Sequence, residues 1–291
     1  MLLSRNQRLL RAFVAWAVVA LFVFPIYYWV TVAIKVEREI FARPPKVFNF
    51  AVSAKSFEEV FGVSFGFEKG LAVLPGGGDF YMTPRLVDSI IVAVCSTALA
   101  IIIATLAAYA LSRMRFRGQH HFVFWILSTR MMPPVAVAIP LFFIYKDFGL
   151  LDTYSGVILV HALMNMPLAV LLLKSFFDDI PKEIDEAALI DGASRFTIFR
   201  RIVLPMATGG IAATAVLCFI FSWTEFLFVL TLTQTGLKTV PVVSSTFVTS
   251  TGTAWGNMAA LGTAAILPAF IFILLVQKNL VRGLTLGSLK Q

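Results

Sequence analysis

Long apolar runs without charge, separated by short segments rich in charge, proline or glycine, dominate this chain. The first, Ala12 to Ile34, has 23 residues and no charge. A helix crosses about 30 Å of hydrocarbon in roughly 20 residues, whereas the apolar core of a signal peptide has about 7 to 15. The run over 12–34 therefore reads as a spanning helix. The same pattern predicts five further spans, over residues 86–112, 122–145, 153–173, 206–232 and 258–281. The third holds Arg130 and Pro133-Pro134, and the fifth holds Glu225. Segments 1–11, 35–85, 174–205, 233–257 and 282–291 lie between or beyond the spans. The expected fold class is an all-α integral membrane protein with six transmembrane helices in one domain.

Basic residues predict the orientation, because cytoplasmic loops keep an excess of Lys and Arg. With the N-terminus inside, fourteen of the 24 basic residues fall in cytoplasmic segments. The outer loop 35–85 holds seven more, diluted by Glu37, Glu39, Glu58, Glu59, Glu68 and Asp79. Both termini are thus expected in the cytoplasm. The same outer loop carries Pro44-Pro45, Gly76-Gly77-Gly78 and several phenylalanines, which predicts a small cap built on turns. No internal repeat or low-complexity tract is present.

Composition points the same way. Apolar residues make up 59% and charged ones 14%, against about 25% charged in a soluble domain, and the mean hydropathy is +0.87. A cytosolic globular enzyme is excluded. The net charge of +8 would suit nucleic acid, but the basic residues end apolar runs and form no dense stripe with interleaved aromatics. Cys95 and Cys218 lie inside separate apolar runs and read as packing residues, with neither a disulfide framework nor a thiolate metal site.

The segment Asp178 to Pro205 predicts two short helices joined by a sharp turn. Pro181 suits a first helical position, and Asp178, Asp179, Glu183, Asp185 and Glu186 cluster where the helix dipole favours anions. Gly192 supplies a left-handed stop after Asp191, Ser194 an N-cap, and Pro205 the return to the membrane. Ala187 and Ala188 leave one helix side without bulk, so that another protein's groove can approach the backbone. An amphipathic helix lying on the membrane surface is the alternative.

These residues carry a resemblance. Glu186-Ala187-Ala188, then Gly192 after three residues, then Ile202-Val203-Leu204-Pro205 after nine, is similar to the EAA loop of permease subunits of binding-protein-dependent ABC importers. Ala108 to Gly118, AYALSRMRFRG, resembles the end of the second helix in the carbohydrate branch, of MalG type. Gly283-Leu284-Thr285, Gly287 and Lys290 resemble that branch's C-terminal tail, with Gln291 where many members end in Gly. Asp88-Ser89 departs from the family's frequent Asn-Ser.

The resemblance implies a MetI/MalG-like permease fold in a bacterial or archaeal cytoplasmic (inner) membrane. It implies a transport subunit that moves a sugar, oligosaccharide, polyol or related solute by alternating access. Its implied partners are a second, MalF-like permease, two ATPase subunits and an extracytoplasmic solute-binding protein, with lipid around it and no nucleic acid. Glu186, Ala187, Ala188, Asp191, Gly192, Ile202, Leu204 and Pro205 would couple to the ATPase, and the tail residues would touch it. The chain has no G-x-x-x-x-G-K-[S/T] loop, so ATP and Mg belong on the partner ATPase and no cofactor or metal is expected on this chain. It is not expected to be an enzyme.

Ionisable groups inside hydrocarbon cost at least about 2.5 kcal/mol, so Arg130 and Glu225 should face the bundle interior or water. Pro133-Pro134 removes helix hydrogen bonds beside Arg130, and Asn165-Met166-Pro167 does so at similar depth in the fourth span, predicting two breaks near the midplane. Either these kinks line a solute path or they are packing features. Ser222 and Thr224 would complete such a path, with Phe122, Phe124 and Trp125 lining it or facing lipid or core. Glu225 falls 19 residues past Met206, near the outer surface, where depth separates it from Arg130; it is an interfacial or a gate residue. His161 reads as a hydrogen-bonded interior residue. An ion-gradient-driven secondary transporter is the competing function; the lack of a mid-depth carboxylate argues against it.

Overall fold

The computed structural model describes residues 5–62, 83–250 and 252–287. The Gly76-Gly77-Gly78 turn and Lys290 lie outside these. Helix α1 (Arg5–Ala33) is exposed from Leu9 to Tyr27, as a helix bathed in lipid or awaiting another chain would be, and is buried only in its last turn, Thr31 to Ala33. Two short helices follow, α2 (Glu37–Ile40) and α3 (Lys55–Phe61). Helix α4 (Thr83–Arg113) is the second span. Gly118, at φ +86, opens α5 (Gln119–Arg130), and α6 (Pro134–Asp147) starts at Pro134.

The predicted third span is thus two helices, bent by 93°. Pro133 has extended backbone and no N–H, so the ladder stops there and restarts with Pro134 at the first position of α6. The fourth span, α7 (Tyr154–Asp178), is capped by Thr153, whose hydroxyl accepts from Gly156 N at 3.1 Å. It runs unbroken through Pro167, which corrects the expected second break. The proline removes the donor for Leu163 O but leaves the surrounding turns intact.

Beyond it come α8 (Lys182–Ile190), α9 (Arg195–Ile198), a π-helical turn (Phe199–Val203) and α10 (Leu204–Met206). Helix α11 (Thr208–Trp223) leaves the α9–α10 stretch at 73° and ends before Glu225, and α12 (Leu227–Leu232) follows. The expected straight span 206–232 is therefore shortened to α11, with backbone breaks at both ends. The chain closes with α13 (Val240–Thr246), the antiparallel pair β1 (Val248–Thr249) and β2 (Gly252–Thr253), and α14 (Trp255–Gly287). Among the described residues four helices are long and apolar enough to cross a membrane, or up to six if each bent pair is one span.

Two compact units result: residues to Pro84 with Val243–Ile266, and Arg85–Val242 with the residues from Leu267 onward. In the first, Lys35 is buried with its ammonium over the rings of Tyr28 and Phe50, 4.7 and 4.9 Å from their centroids. Glu39 binds Lys46 at 2.6 Å and accepts from Ala51 N, contacts that hold its carboxyl below the usual range. In the second, a core of Ala104, Ala108, Leu111, Leu173, Phe177, Ile198 and Val203 packs α4 and α7 against the 182–207 segment.

Candidate functional site

Two regions hold the residues singled out by sequence. One is a cleft of about 410 Å³ within the second unit. Arg130, Asn165, Ser222, Thr224 and Glu225 all line it, together with His161. Pro133 is not among its lining residues; Pro134 is. Phe122, Phe124 and Trp125 do not line it and are exposed elsewhere on α5.

The bend after α5 leaves Arg130 at the helix end, where Nη1 donates to Met164 O at 2.9 Å and the guanidinium lies 5.0 Å from the Phe221 ring centroid. Met164 precedes Pro167 by three residues, in the turn whose donors the proline thins out. Asn165 is buried, and its Nδ2 donates to Cys218 O at 3.1 Å, joining α7 to α11.

His161 is buried beside it and is the expected hydrogen-bonded interior residue, although an isolated histidine in an apolar run carries no signal of its partners. Its Nδ1 shares a hydrogen bond with Ser222 Oγ at 2.7 Å, and Ser222 Oγ meets Ser96 Oγ of α4 at 2.8 Å. Its Nε2 lies 3.4 Å from Glu225 Oε2. Glu225 also caps α12, accepting from Phe228 N at 2.8 Å and Val229 N at 3.2 Å. The depth argument that set Glu225 apart from Arg130 assumed one straight helix. Because α11 ends at Trp223, both residues line the same cleft, although among the described residues no ion pair joins them.

The other region is the 178–205 segment. Gly192 has φ +82, and Ser194 Oγ accepts from Thr197 N at 3.2 Å at the start of α9. Glu186, Ala187, Asp191 and Gly192 are exposed, as is Pro205, while Leu204 is half-buried. Ala188 is instead buried in the chain's own core, so its small size fits α8 against its own bundle and only Ala187 leaves the outer side open. Ile202 packs against the same core. The outer side presents Ile190 and Phe196, 87% and 67% exposed, a large apolar area for a loop outside the membrane. Gly283, Leu284, Thr285 and Gly287 lie in the last turns of α14.

Comparison with known proteins shows the family of the chain that carries this cleft and this loop. The family described as "Binding-protein-dependent transport system inner membrane component" matches residues 85–286. The probable ABC transporter permease protein y4oR of Sinorhizobium fredii is 33% identical over 99% of this chain and 98% of its own. The trehalose transport system permease protein SugB of Mycobacterium tuberculosis is 35% identical over 73% of this chain and 78% of its own. The trehalose/maltose transport system permease protein MalG of Thermococcus litoralis is 37% identical over 70% and 74%. A solved bacterial ABC transporter involved in import of the acidic polysaccharide alginate shares the fold at TM-score 0.71 and 21% identity, over 96% of this chain and 99% of that one. The chain belongs to the inner membrane components of binding-protein-dependent transport systems, and is a multi-pass permease of the cytoplasmic membrane.

Proposed function

We propose that this permease is the MalG-type subunit of a carbohydrate importer. It would form half of a pore with a MalF-like second permease, while two ATPase subunits holding ATP and Mg dock on the 178–205 loop at the cytoplasmic side. A solute-binding protein would deliver a sugar, oligosaccharide, polyol or related solute at the outer face. ATP-driven closure of the ATPase pair then switches the pore between outward and inward access. The chain itself carries no cofactor in this scheme and performs no hydrolysis.

The observation that carries the solute path is the cleft, where Arg130, Thr224 and Glu225 stand along apolar walls with His161, Asn165 and Ser222 buried behind them. Such a mixture suits a polyhydroxylated solute, whose hydroxyls both donate and accept. Two relatives transport trehalose or trehalose and maltose by name, which supports the carbohydrate assignment. The ion-gradient alternative gains no support from the family.

Deleting this subunit should abolish uptake, and reconstituted uptake should need ATP, the separate ATPase chains and the binding protein. Solute accumulation by the purified chain alone under a proton or sodium gradient would overturn the proposal. Cysteines placed at Arg130 and Asn165 should react with a small water-soluble thiol reagent during turnover and be protected by solute. Inertness of both in an actively transporting complex would assign the cleft to packing.

A further inference from the structure

One side chain ties three elements together at the far end of α4. Arg113 is the last residue of α4, and its side chain is only 5% exposed. Its Nη1 donates to Phe177 O and its Nη2 to Ile180 O, both at 3.0 Å, so it serves carbonyls where α7 ends. Its Nε lies 2.7 Å from Asp185 Oδ2 on α8. Neighbouring Ser112 donates to Asp178 Oδ1 at 2.6 Å. One turn earlier, the Tyr109 ring packs edge-on against Phe177 and tilted against Phe199 of the π turn, at centroid distances of 6.0 and 4.7 Å.

A guanidinium is a rigid planar fork: here its donors fix the Phe177 and Ile180 carbonyls and its charge holds the Asp185 carboxylate beside Nε, so these three partners keep one relative geometry. Two of these are carbonyls at a helix C-terminus, where the dipole also favours a cation. Losing one partner leaves a buried charge uncompensated, which makes the arrangement costly to disturb in part. A basic residue serving only as a topology signal needs none of these contacts.

We propose that Arg113 is a positioning residue for energy coupling: it clamps α8 to the ends of α4 and α7, so that a displacement imposed on α8 reaches the cleft. The path runs along two unbroken helices, roughly 18 to 25 Å each, because α4 carries Ser96 and α7 carries His161 and Asn165. Without the clamp, α8 turns about Gly192 and the Asp179–Pro181 segment by itself, and ATP is hydrolysed without movement at the cleft. This inference rests on the transport reading above.

The test uses the assembled complex of this chain with its partner permease, ATPase and binding protein, with Cys95 and Cys218 replaced and Thr224→Cys as reporter. The rate of reaction with N-ethylmaleimide is measured with and without ATP plus vanadate. With Arg113 in place the nucleotide should change that rate about tenfold, within the ordinary range for coupling between sites. Arg113→Lys, which keeps the charge but not the fork, and Asp185→Asn should both cut the change to about twofold or less while ATP hydrolysis continues. Asp185→Glu should restore it. If Arg113→Lys does not assemble, Asp185→Asn decides alone, since it leaves both carbonyl bonds in place. A full nucleotide response in the variants overturns the clamp, as does a cleft that ignores nucleotide with Arg113 present; ATP-driven uptake, measured separately, decides the transport reading.

Discussion

Gly192 and Asp152 show how single residues set this protein's connections. At Gly192 a Cβ would meet nothing within 4 Å, so the constraint is the backbone alone: φ +82 costs a residue with a side chain ~1 kcal/mol or more. Gly192→Val should leave the pore inserted but misplace Glu186 and Ala187, lowering ATP hydrolysis stimulated by the binding protein; unchanged stimulation in a normally assembled complex would remove that role. Asp152 also has positive φ, and its carboxylate accepts from Gln234, Thr235, Gly236 and Leu237 N at 2.9 to 3.3 Å. Burial pushes its pKa up, but these four donors outweigh it and hold the carboxyl below its usual value. The stabilisation is therefore complete above the unfolded carboxyl's pKa and is lost as the pH falls through the lower folded value. Hydrogen-exchange protection of residues 234–237 should fall in acid, and Asp152→Asn should abolish that dependence. Gly192 and Ser194 were legible in the sequence because their constraints act within four residues. The roles of Asp152 and Arg113 were not, nor were the partners of His161, itself readable as a hydrogen-bonded interior residue, because those partners lie 61 to 85 residues away.

At the scale of elements, the close approach of α7 and α11 depends on Gly210. A Cβ there would lie 2.3 Å from Phe176 Cγ, so the ring must move to admit even a methyl group. Gly210→Ala should destabilise the detergent-solubilised protein by about 1 to 3 kcal/mol, the usual effect of overpacking, and adding Phe176→Ala should recover part of it. A melting temperature unaffected by Gly210→Ala would show that the helices separate freely here. Hydropathy located the spans but not where they break. Pro133-Pro134 ends a helix because two adjacent rings remove consecutive donors, whereas Pro167 sits within a 25-residue helix whose other bonds persist. The breaks flanking α11 fall at Ala207 and Thr224, residues without any breaker character; the first comes two residues after Pro205, and the second just before Glu225, which caps α12.

For the whole molecule, the basic residues predict that the 182–190 helix and the 55–61 helix lie on opposite sides of the membrane. In a chain with Cys95 and Cys218 replaced, a cysteine at Ser56 should be labelled by an impermeant maleimide in intact cells, and one at Asp191 only after the membrane is opened. Labelling of both from outside would invert or break the six-span topology. The polar series of Ser96, Ser222 and His161, joined by hydrogen bonds and flanked by Glu225 at 3.4 Å from His161 Nε2, has a mechanical meaning as well. It crosses three helical segments, with Ser96, Ser222 and His161 all buried, so that a lost partner leaves a buried polar group unpaired. Turning α11 by one residue, about 100°, would strand these polar groups together, so sliding or rotation of a single helix is blocked. The middle of the bundle must travel as one block. Any change of access is then left to the unratcheted joints, the bend at Pro133 and the breaks at Ala207 and Thr224, which makes this permease a set of rigid pieces moving about three hinges.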